Sequence, residues 1–159
     1  MELANSGARA AFELSAQQLQ GRATHRLVVP GATLPDDVYV KLQRQSGAPP
    51  MAPVVNGRVG VEGLQGRYRL VGFDLFAEAP FRSELARVSN RDGFTADWLT
   101  QPGAVVPGAA TARALGVGVG DTLRIVYRGK AVTLEVLQIE PSASAVTDDL
   151  LLVDIATAK

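Results

Sequence analysis

The sharpest alternation of apolar and polar positions lies in the last third of the chain. Within 121–128, Leu123, Ile125 and Tyr127 share one face; within 131–139, Val132, Leu134 and Val136 do the same. Period two over such runs predicts half-buried strands, and Gly129-Lys130 between them predicts a hairpin. A short strand beginning at Ala104 precedes it, followed by a short helix over 109–115 that Gly116 stops. Leu150, Leu151, Leu152 and Val153 run without a polar break, as in a central strand covered on both faces. Asp154 can then cap a helix that residues 155–159 only begin.

The first half is less regular. Residues 3–20 contain no proline and are rich in helix formers, but Ala8, Phe12 and Leu19 make only a weak apolar stripe, broken by Ser15. Residues 22–29 alternate, with Ala23, His25, Leu27 and Val29 on one face, and predict a half-buried strand ended by Pro30-Gly31. Residues 35–46 predict the clearest helix. Pro35 suits its first position, Asp36 and Asp37 its positive end, and Lys41 and Arg44 its negative end; Gly47 closes it. Segments 51–62 and 67–74 predict two strands around a turn at 63–66, with Pro53 placing the first strand's start at an edge or bulge. Residues 77–103 predict short helices near 83–87 and 95–99, with a turn at 90–93. Separated hairpins and short helices of this kind give an α+β fold, not a regular βαβ alternation.

Composition narrows the function classes. A chain of 159 residues, 47% hydrophobic, makes one domain or two small lobes with a real core. Sixteen basic and sixteen acidic side chains cancel, which argues against a nucleic-acid partner. With no cysteine there are no disulfides, thiolate metal sites or cysteine nucleophiles. No apolar run is long enough to span a bilayer, and Met1-Glu2 opens no signal peptide.

The chemistry-bearing residues mostly have plain structural explanations. His25 is the single histidine and predicts a half-buried side chain with one hydrogen bond. Asp148, Asp149 and Asp154 supply hard-cation ligands in principle, but without EF-hand spacing; a loop acid pair and a helix cap account for them. Asp36 and Asp37, adjacent on a helix, point about 100° apart and do not converge as a catalytic pair. Gly116, Gly118 and Gly120 follow a helix and precede a strand, the reverse of a phosphate-cradling loop. Aromatics concentrate in Phe73, Phe76, Phe81, Phe94 and Trp98, with Arg82, Arg87 and Arg91 beside them. They are either a small core under irregular segments or a partner surface. The candidate residues for that surface are Phe76, Phe81, Arg82, Arg87 and Trp98.

Several phrases occur in a familiar order: LPDDVYVKL, APVV, GFDLFAEAPFR, VVPGAATARALGVGVGDTLRI and DDLLLVDIATA. In this order the chain resembles, over roughly 8–159, the extracytoplasmic domain of ABC-transporter permeases of the FtsX/MacB/LolE type. The most specific stretches are 105–126 and 148–158. The resemblance implies an α+β, MacB-like periplasmic core domain. Its expected parts are a membrane-proximal helix at 1–21, a porter-like lobe from 22–56 and 121–159, and an inserted lobe at 57–120. It further implies a non-catalytic role without a cofactor, on the outer side of a cell membrane. There the domain would couple ATP hydrolysis by a separate cytoplasmic subunit to substrate export, lipoprotein handling or mechanotransmission. The implied partners are the rest of the permease, its ATPase subunit and flanking membrane helices outside this chain; they could include a second permease copy. On this reading the chain is excised from between two membrane spans, and Met1 is an added start. The competing expectation is a cytosolic β-barrel adaptor or substrate-recognition domain, which predicts a closed barrel. A small hydrolase is disfavoured, because no nucleophile–base pair can be identified.

Overall fold

Residues 23–29, 33–81, 93–127, 129–140 and 149–159 are described by the computed structural model. The elements follow the local signals closely. Helix α1 spans Asp36–Gln43, capped by extended Pro35 and stapled by a 2.7 Å Lys41–Asp37 ion pair. Strands β1 (Val54–Val61) and β2 (Tyr68–Phe73) are antiparallel around a turn where Gly63 and Gly66 have positive φ. Helices α2 (Leu75–Glu78) and α3 (Phe94–Thr100) follow, then strand β3 (Ala104–Pro107) and helix α4 (Ala109–Leu115). Gly116 ends α4 in the left-handed region at φ 66°, and the Val117 amide donates back to the Ala112 carbonyl. That conformation favours glycine, so Gly116 is the helix stop. Strands β4 (Thr122–Tyr127) and β5 (Lys130–Val136) form the hairpin, with Gly129 at φ 79° in its turn. Strand β6 (Leu150–Asp154) runs directly into helix α5 (Ile155–Ala158).

The six strands close into one barrel in the order β1-β2-β6-β3-β5-β4. Strand β6 lies parallel to β2, with Leu70 opposite Leu151, and antiparallel to β3, with Val105 opposite Val153. The seam is β1 against β4, where Gly60 faces Val126 and Val61 faces Ile125. A Glu62 amide to Arg124 carbonyl bond and an exposed 3.1 Å Arg124–Glu62 ion pair extend it.

Alternation decides what fills the barrel. Val59, Val61, Leu70, Val105, Leu123, Ile125, Leu134, Val136, Leu151 and Val153 form the interior cluster. A second cluster of Phe73, Leu75, Phe94, Trp98 and Val106 packs outside, with Leu152 and Leu137 against it. Strand β6 is therefore covered on both faces, Leu151 and Val153 inward and Leu152 outward, which is why its sequence shows no polar break.

Two expectations need correction. Residues 23–29 form no strand, and Thr24 to Val29 are exposed. Alternation supplies two faces but not a partner, and each barrel strand already has two neighbours. His25 is accordingly exposed, its Nδ1 2.9 Å from the Thr24 hydroxyl. Strand β1 runs through residue 57, and β2 and β3 pair with β6 and β5. The expected helices over 1–21 and 83–87 lie outside the described residues.

Candidate functional site

The aromatic region is positioned by two short helices. Asp74 caps α2, its Oδ1 accepting from the Phe76 and Ala77 amides at 2.9 and 3.1 Å. This cap turns Leu75 into the outer core and Phe76 into solvent, where it is 64% exposed. Phe81 is half-buried, and its amide donates to the Glu78 carbonyl. Gly93, at φ 83°, leads into α3, which buries Phe94 and Trp98 one turn apart. The Trp98 ring lies 5.4 Å from Phe73 and 5.7 Å from Phe94, in the tilted and stacked arrangements that aromatic pairs favour.

Trp98 is only 2% exposed, so it does not line a surface as the partner reading expected; it belongs to the outer core cluster. Its Nε1 has no hydrogen-bond partner among the described residues. A crevice of about 20 Å³ runs beside it, lined by Phe73, Leu75, Phe94, Val106, Leu152 and the carboxylate-bearing Glu140. Phe76 on α2 and Leu99 on α3 are exposed. Arg82, Arg87 and Arg91 lie outside the described residues.

The second functional feature is the seating of α5. Asp154 caps it, Oδ2 accepting from the Ala156 amide at 2.9 Å. Ala158 is buried over Gly72 of β2, so closely that a Cβ on Gly72 would overlap the Ala158 methyl. Lys159 makes a 2.7 Å ion pair with Asp36, tying α5 to the start of α1. On α1, the Tyr39 hydroxyl donates to the Met51 carbonyl at 3.4 Å and accepts from Gln43 Nε2 at 2.7 Å. Desolvation, then the Asp74 charge, push the Tyr39 pKa up from 10.0, while the Gln43 bond pulls it down. Sequence reasoning missed the Gly72–Ala158 contact. A signal existed: a lone glycine inside an apolar strand marks a close backbone approach.

Of the acidic cluster, Asp148 lies outside the described residues, and the other two have separate roles. Asp149 faces Arg69 at 3.4 Å and Arg58 at 3.8 Å, and Asp154 is a helix cap. No group of three or more metal-ligating side chains converges among the described residues. Nor is any described helix long and apolar enough to cross a membrane.

No protein-family model matches the chain. The whole chain is similar to one segment of an ABC-transporter permease. That protein, an uncharacterized ABC transporter permease of Mycobacterium tuberculosis, is 34% identical over 167 aligned positions. The match covers 100% of this chain and 19% of the permease, so the chain spans about a fifth of its relative's length. A solved domain assigned to a permease protein of Porphyromonas gingivalis aligns at a TM-score of 0.42 and 16% identity. It covers 74% of this chain and 55% of that one, a likeness too slight to carry the assignment.

Proposed function

We propose that the chain is a non-catalytic extracytoplasmic domain of an ABC-transporter permease of the FtsX/MacB/LolE type. The observation that carries this reading is the similarity of the whole chain to part of a permease. In this role the domain transmits movement generated by ATP hydrolysis on a cytoplasmic subunit to substrate or partner proteins outside. Its partners are then the remainder of the permease, that ATPase subunit and, where permeases pair, a second copy.

The seating of α5 supports mechanical coupling. A helix capped by the last residue of β6, packed on β2 and ion-paired to α1 has little freedom to move without the barrel. The exposed Phe76 is the aromatic through which a partner would be felt. The closed barrel is what the adaptor reading expected; the similarity of the whole chain to part of a permease favours the permease reading over it.

Cysteine is absent from the sequence, which makes the side of the membrane directly measurable. Val119 is 66% exposed in the turn after α4. In the full permease, stripped of any other cysteine, Val119→Cys should react with a membrane-impermeant maleimide in intact cells. Labelling only after lysis would place the domain inside and end the proposal.

A further inference from the structure

The outer face of the β1–β2 ribbon collects guanidinium groups. Arg58 stands directly opposite Arg69 in the register, and Arg67 immediately precedes β2. Like charges opposed across a ladder are unfavourable unless something neutralises them. The Asp149 carboxylate serves both, 3.8 Å from Arg58 and 3.4 Å from Arg69. Among the described residues no carboxylate partners Arg67.

Beside these arginines lies a cleft of about 430 Å³. Arg58 and Gly60 of β1 line it, flanked by Gly66 and Arg67 on one side and by Val126, Tyr127 and Gly129 on the other. A Cβ built on Gly60 meets nothing within 4 Å, so the space above this glycine is open. Glycine there lets a ligand approach the backbone, and flanking guanidiniums present forked donors suited to a tetrahedral oxyanion.

We propose that this cleft binds a phosphate ester through Arg58 and Arg67, over the bare backbone of Gly60. Such a group is carried by anionic phospholipid headgroups and by soluble phosphorylated compounds alike. The inference rests on the cleft and its charges, and stands or falls independently of the permease reading.

The test titrates the 159-residue chain at low ionic strength, where exposed charges are least screened. One arm uses inorganic phosphate, read by amide shifts of Gly60, Gly66 and Gly129. The other uses phosphatidylcholine vesicles with and without phosphatidylglycerol, read by co-sedimentation. Arg67→Gln and Arg58→Gln should each weaken binding about tenfold, the order expected for one lost charge-assisted hydrogen bond. Gly60→Val fills the cleft with a side chain that strands accept, so binding should fall at least as far while the unfolding midpoint holds or rises. Binding to anionic vesicles alone assigns the ligand to lipid, and binding to phosphate alone to a soluble compound; either supports the proposal. No binding in either arm overturns it, as does binding that Arg67→Gln and Gly60→Val leave unchanged.

Discussion

Replacing Gly72 by alanine adds one methyl group where the barrel meets its last helix. The new Cβ would overlap the Ala158 methyl, and the Asp154 carbonyl oxygen and Ile155 Cα lie 3.5 Å away. To restore a normal carbon–carbon separation of about 3.5–4.0 Å, α5 must lift off β2. Overpacking of this kind costs about 1–3 kcal/mol. A stiffer unfolded chain returns about 0.4–1 kcal/mol, because alanine has fewer conformations to lose than glycine. Overpacking wins, and the expected net loss is about 1–2 kcal/mol. Urea unfolding of the isolated chain should show a lower midpoint at unchanged slope, and the melting temperature should fall by about 2–4 °C per kcal/mol. Ala158→Gly removes the obstructing methyl. The double variant should therefore be more stable than the sum of the single losses predicts, by about 1 kcal/mol or more. A Gly72→Ala stability within about 0.5 kcal/mol of the parent would refute the reasoning, as would strict additivity in the double variant.

Two further outcomes follow from the geometry. Trp98 is the single tryptophan and is 2% exposed, so native emission should be blue-shifted and shielded from iodide, and Trp98→Ala should cost about 3–5 kcal/mol; red-shifted, freely quenched emission would contradict its placement. The pKa of Tyr39 is raised in the fold, so the neutral phenol is the favoured form; its contribution is fully present below the unfolded value of 10.0 and is lost as pH rises through the folded value. Unfolding midpoints measured through that alkaline window should fall less steeply for Tyr39→Phe than for the parent; parallel profiles would show that Tyr39 is not responsible.

The sequence was most legible where the signal is local. Gly116 and Gly129 mark a helix stop and a hairpin turn through their own backbone conformations, and both ended elements near the predicted places. The unbroken apolar run of β6 reports its covering on two faces. What the sequence hid is pairing between distant segments. Nothing near Leu70 or Val105 names Leu151 or Val153 as neighbours, so the barrel could not be assembled from periodicity alone. The alternation of 22–29 misled for the complementary reason, since its pattern was sound and its partner absent. Within the aromatic cluster, composition could not sort Phe76 from Trp98. Their difference comes from the Asp74 cap and from helix phase, which turn one outward and stack the other on Phe73. Asp74 ahead of a short helix-forming run was a readable cap signal that went unused.

The position of β6 has a consequence for how the domain is made. Among the described residues it is the last of six strands to be synthesised, yet it stands between β2 and β3. Until it leaves the ribosome, both of those strands keep a raw edge, the surface on which stray chains pair. Chain growth at about 5–20 residues per second stretches that exposure to seconds. Completion is then a single zipping event along two neighbours at once, in which five residues, Leu150–Asp154, turn an open and adhesive sheet into a sealed one.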